Sequence, residues 1–140
     1  MQITIPMVLI VSVAIMIFAA LVQYFRDCRQ AIKLIEPCAR TMDELFERVR
    51  WQQHTSARGL EYALSRSGIW DILTTLSRIG TENSIDRYAI CSAMNALCRH
   101  DVQWVASPYG YGVIFQEERL AGSIQWDLKR RTVEISEGAI

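Results

Sequence analysis

Charge is missing from the first 25 residues: no Asp, Glu, Lys or Arg precedes Arg26. That gap excludes an ordinary surface helix, which would carry a polar side. It also removes the basic n-region of a secretory signal, and Ala19-Ala20 runs on into Leu21-Val22 rather than a small-x-small cleavage site. Histidine is scarce, with 2 in 140 residues, and none of the 4 cysteines forms a C-x-x-C pair. Zinc spacings are therefore absent. The chain has no G-x-x-x-x-G-K-[ST] phosphate loop, no H-E-x-x-H pair and no G-x-S-x-G elbow. Basic and acidic residues balance at 15 each, so the strongly basic footprint of a nucleic-acid binder is lacking. Neither an internal repeat nor a low-complexity tract occurs.

What fills the charge-free stretch is IPMVLIVSVAIMIFAALV, Ile5 to Val22, with Ser12 its one polar residue. A hydrocarbon core about 30 Å thick takes about 20 apolar residues as helix. Residues 1–25 are thus expected to be a transmembrane anchor contacting the lipid bilayer. Thr4 is placed to cap it and Pro6 suits its first turn. Tyr24 and Phe25 fall where an interfacial aromatic belt would sit. Cations follow the run at Arg26, Arg29, Lys33 and Arg40. The positive-inside rule then puts the C-terminal side in the cytoplasm and about four residues outside, in an inner (cytoplasmic) membrane.

A second pattern starts within the span and leaves it. Leu21, Phe25, Cys28, Ile32, Ile35, Ala39, Met42, Phe46 and Val49 recur in steps of four and three. Arg29, Lys33, Glu36, Arg40, Asp43, Glu47 and Arg50 keep the same step on another face. Two stripes in register predict an amphipathic juxtamembrane helix over residues 26–58, with an extension through Leu64 allowed. Glu36 with Arg40, Glu44 with Arg48 and Glu47 with Arg50 have helical pair spacing. Pro37 interrupts the run. It implies either a kink or a short break with a restart at Thr41, where Thr-Met-Asp-Glu is a capping box.

Residues 59–140 read as a small cytoplasmic α+β domain. Ile69–Ile79 is expected as a helix ended by Gly80, and Ser84 as the cap of a further helix from Ile85 to about Arg99. After His100 the period becomes two. Val102, Trp104 and Ala106 alternate with Gln103, Val105 and Ser107, and a Pro-Tyr-Gly-Tyr-Gly turn follows, with Tyr109, Tyr111, Val113 and Phe115 on one face. Arg119–Leu128 alternates throughout, and Thr132–Ser136 makes a last strand. The whole is about three helices followed by a three- or four-stranded antiparallel sheet with one buried face.

The candidate binding residues are few. Ile32, Ile35, Met42, Phe46 and Val49 form a stripe that serves either the chain's own domain or a partner helix, whether a second copy or another membrane protein. Ser12 and Ala19 are small residues on one face of the span, weaker than a GxxxG motif. Tyr109 and Tyr111 are a stacking pair in a glycine-flexed turn, or else cover the sheet. Lys129-Arg130-Arg131 either solvates a hairpin tip or touches lipid headgroups. Cys98 with His100 and His54 matches no metal spacing, and a helix C-terminus accounts for His100 without catalysis. Reduced cysteines fit a cytoplasmic domain. Two helices and a hairpin imitate a winged helix, but Arg87 and Arg99 are poor equipment for phosphates. The composite expectation is a single-pass membrane-anchored interaction protein, an accessory, regulatory or structural subunit of a membrane complex, with no cofactor, no metal and no catalysis of its own. Alternatives are a membrane-tethered winged-helix regulator binding nucleic acid and a small membrane-bound enzyme with an unrecognised site.

Overall fold

A computed structural model describes residues 5–138; the Thr4 cap and the short N-tail expected outside the membrane lie outside the described residues. The chain begins with α1, Ile5–Arg48, a single helix of 44 residues and about 66 Å. No residue of its apolar 18-residue window is buried, and it is long and apolar enough to cross a membrane. The character of α1 changes lower down, where Ala31, Ile35, Ala39, Met42, Leu45 and Phe46 turn inward and are buried.

Pro37 lies inside α1 and does not break it. Its ring costs about 3 kcal/mol in a helix interior. Against this stand Ile35 above it and Met42, Leu45 and Phe46 below, buried in one continuous core and contributing about 1.5–3 kcal/mol each. A break would rotate one set off that core, so continuity wins. The side chain of Thr41 donates to the Pro37 carbonyl at 2.9 Å rather than starting a new helix. Of the three expected ion pairs, Glu36–Arg40 forms at 3.5 Å; the other two are not closed among the described residues.

The helix stops at Arg48, ten residues before the expected end. Arg50 takes a left-handed conformation (φ 52°), and a short 3-10 turn, Trp51–Gln53, follows. This reversal brings Trp51 under the domain against Phe46 and Phe115, at centroid distances of 6.2 and 6.3 Å. Ser56, unremarked in the sequence, then caps α2 (Ala57–Ser67) by accepting from the Gly59 N–H at 3.0 Å.

Helix α3 runs Ile69–Asn83, past Gly80. A Cβ at Gly80 would stand 2.8 Å from the Ile90 side chain and 3.0 Å from the Ile85 carbonyl. That glycine therefore permits close packing of α3 on the following helix instead of ending α3. Ser84 is the left-handed C-cap of α3, and Asp86 caps α4 (Arg87–Leu97) by accepting from the Tyr88 N–H at 3.0 Å. The expected cap and start of this helix are thus shifted by two residues.

Four strands complete an α+β chain: β1 Gln103–Ser107, β2 Gly110–Gln116, β3 Ala121–Asp127 and β4 Thr132–Glu137. They form one antiparallel meander in the order β1-β2-β3-β4. Its inner face pairs Trp104 with Val113, Tyr111 with Trp126 and Val113 with Ile124, and packs on the helices through one core. The reversal between β1 and β2 is only Pro108-Tyr109; Gly110 to Gly112 belong to β2. A Cβ at Gly110 would collide with the Trp126 carbonyl, so the glycine there serves strand packing and not loop flexibility.

Candidate functional site

Beyond α4 the chain crosses to β1, and the crossing is held by a residue of α1. Asp43 Oδ1 accepts from the N–H of Arg99 (2.9 Å), from the N–H of His100 (3.3 Å) and from His100 Nδ1 (2.6 Å). Trp104 Nε1–H donates to His100 Nε2 at 3.0 Å. An indole nitrogen only donates, so Nε2 carries a lone pair and the ring proton resides on Nδ1. Phe46 stacks on the imidazole at 4.1 Å between centroids. The result is a chain of hydrogen bonds from α1 through the crossing to the sheet, with the His100 side chain only 3% exposed.

Burial lowers the His100 pKa below its ordinary value, while the Asp43 charge and hydrogen bond oppose that shift. The neutral ring is the form that fits both partners. Nearby, Cys98 Sγ lies 3.9 Å from the Ala39 carbonyl. Burial, reinforced by Asp43, pushes its thiol up to about 12. Asp43, Cys98 and His100 place their ligand atoms within 4.8 Å of one another. A cation on Nδ1 would send the ring proton to Nε2, where it would face the Trp104 N–H. With Asp43 and both ring nitrogens already hydrogen-bonded, the set works as a structural clasp. His54, the third residue of the metal pattern considered from the sequence, instead meets the Val49 carbonyl at 2.9 Å.

Above the clasp opens a groove of about 690 Å³. Its rim mixes carboxylates (Glu36, Glu44, Glu47) with guanidiniums (Arg40, Arg50, Arg99), and Phe46 and His100 lie in its floor. Opposite signs alternate there, and the one imidazole has both nitrogens engaged. A smaller cleft of about 480 Å³ lies between α3 and the β3–β4 turn, with Arg78 and Arg131 beside Thr74, Ser77 and Thr81. Two of those hydroxyls already donate to helix carbonyls.

The partner stripe divides on inspection. Ile35, Met42 and Phe46 are fully buried in the chain's own core and are corrected from partner contacts to packing residues; the stripe drives the stem helix onto its domain. Val49 is partly buried against the same core, and Ile32 alone stays exposed, at 38%. The tyrosines part as well. Tyr111 is fully buried in β2, and Tyr109 is exposed at the turn beneath the Lys129 ammonium, 5.1 Å from its ring centroid. They are not a paired stacking surface. They part because Tyr109 lies in the turn, outside β2, which begins at Gly110; within a strand, residues two apart would share a face. Asp127 caps the N–H groups of Lys129 and Arg130, and Arg131 lies 5.3 Å over Trp70 of α3, so the basic run divides between α3 and the β1–β2 turn. Outward on α4 stand Tyr88, Ser92, Asn95 and Ala96, and its one cation, Arg87, is half-buried.

His100 owes its place to Asp43, and not to a helix end, since α4 stops three residues earlier. Asp43 was legible only as one member of the polar row. An acid on the polar edge of a stripe, next to the buried Met42, is the signal that could have singled it out. No family model, curated protein or solved structure matches the chain.

Proposed function

We propose that this chain is a single-pass membrane protein whose globular domain acts by interaction, as an accessory, regulatory or structural subunit of a membrane complex. The observation that carries the reading is the contrast along α1. Its first half is an exposed apolar rod, while its second half is consumed by the domain core. An exposed rod of that size is tolerated in lipid and costly in water, since each buried apolar side chain is worth about 1.5–3 kcal/mol. Arg26, Arg29, Lys33 and Arg40 on the domain side of the rod favour a cytoplasmic domain with the N-terminus outside.

The absence of freely available reactive atoms in the best-built cluster favours binding over catalysis. The outer face of the stem is polar apart from Ile32 and Pro37, so association with another membrane protein or a second copy falls to the span or to the charged groove. Affinity purification from mildly solubilised membranes tests this. Reproducible co-purification of a membrane protein, or of a second tagged copy, is expected. A lone monomer at every detergent tried, or complete release from membranes by carbonate, would overturn it.

A further inference from the structure

We infer that the first turn of α4 forms, with the top of the stem, a collar that rests on the phosphate layer of the bilayer. This rests on the membrane-anchor reading above. The argument begins with direction. Leu97 shares the groove with Glu36, Ala39 and Arg40; Cys98 meets Ala39, Arg99 and His100 meet Asp43, and Trp104 meets Phe46. These contacts put the C-terminal end of α4 at Ala39 and the segment after it further down the stem. Helix α4 itself packs along α1, and Ala31 and Ile35 are buried above Ala39, so α4 extends up the stem with its N-terminus toward the apolar half.

Ten residues separate Leu97 from Arg87, about 15 Å of rise. The same rise up α1 from Ala39 reaches Arg29. The burial of Ala31 and the packing of Cys28 against the core agree with that height. Arg29 lies four residues below Phe25, about 6 Å. The headgroup zone extends about 5–8 Å beyond the hydrocarbon on each side. The start of α4 therefore enters that zone whenever the apolar rod fills the bilayer.

The residues at this height suit it. Arg26, Arg29 and Lys33 are exposed on α1, Arg87 begins α4, and Tyr88 beside it is 71% exposed. Side chains on a helix tilt toward its N-terminus, and here both N-termini point at the bilayer. Three acids share the level: Asp27, Glu82 and Asp86. Against the four cations Arg26, Arg29, Lys33 and Arg87 these acids leave a net charge of +1; Asp27 accepts from Gln23 and Asp86 from the Tyr88 N–H, and the Tyr88 ring stands free to meet the headgroups. Phosphate is common to all phospholipids, and anionic lipid adds to the attraction.

The test uses the full chain in phosphatidylcholine vesicles with and without phosphatidylglycerol. A photoreactive phenylalanine analogue replaces Tyr88 in one variant and Ala96, exposed about 12 Å further down α4, in another. Lipid adducts, read by mass spectrometry, are expected at 88 and not at 96, with a higher yield in the anionic vesicles. Arg87→Glu should lower the yield at 88 about fivefold without releasing the protein from the membrane. A carbonate-resistant protein with no lipid adduct at 88, with equal yields at both positions, or with protein adducts in place of lipid refutes the collar and leaves the anchor standing. Carbonate release refutes the anchor and the collar together.

Discussion

Replacing His100 by phenylalanine tests the clasp that joins the stem to the sheet. The ring shape is kept, so the stacking on Phe46 survives, and Asp43 retains the N–H groups of residues 99 and 100. Two losses remain. The Nδ1–H bond to the carboxylate disappears, a charge-assisted bond worth about 1.5–3 kcal/mol, and the buried Trp104 N–H is left without its acceptor, at about 1–3 kcal/mol. Together they predict a loss of about 3–5 kcal/mol from a domain whose whole stability is on the order of 5–15 kcal/mol. Urea unfolding of the full chain in mild detergent, followed by tryptophan fluorescence, measures it. The pH dependence supplies a second reading. The folded-state pKa of His100 lies below its ordinary 6.5, so the unfolded chain takes up the proton first. The stability this group contributes is present above pH 6.5 and is lost as pH falls toward the lowered folded-state value. His100→Phe should remove that slope below about pH 6.5, leaving His54 common to both proteins. A loss under about 1 kcal/mol, or a slope unchanged by the substitution, would refute the reasoning.

Three further outcomes are expected. Pro37→Ala should stabilise the chain by up to about 3 kcal/mol, because the ring is exposed and interrupts a helix that continues through it; destabilisation in the same urea assay would mean that the proline ring has a packing role. Tyr111→Phe should be neutral or stabilising by about 1 kcal/mol, since the buried hydroxyl has no partner among the described residues; a clear loss of stability would show that the hydroxyl is bonded. Cys91 and Cys98, whose thiols burial pushes up to about 12, should resist maleimide at neutral pH in the folded protein and react on unfolding. Equal labelling rates in both states would contradict the packing around them.

Much of the fold was legible because it rests on periodicity. The charge-free run, the two-stripe stem and the alternating strand around Ile124 and Trp126 each repeat one local rule over many residues, and repetition averages out local exceptions. The stops were less legible. Gly80 reads as a helix end and is a packing contact; Ser84 reads as an N-cap and is a C-cap; Arg50 reverses the chain where no glycine or proline announces it. Such points depend on which neighbour arrives from elsewhere in the chain, and a window along the sequence does not contain that neighbour.

The candidate site shows the same division more sharply. Composition and spacing alone determined that the chain has an apolar rod, an amphipathic stem and an α+β remainder, because hydrophobic period is a property of each segment by itself. Only the tertiary structure decided that Ile35, Met42 and Phe46 face their own domain, that Tyr109 and Tyr111 part company, and that Asp43 meets a histidine 57 residues away. A stripe states that one face must leave water; it does not state against what. Pairing across the chain is chosen by the packing of the whole core, where a half-buried carboxylate and a buried indole N–H must each find a partner.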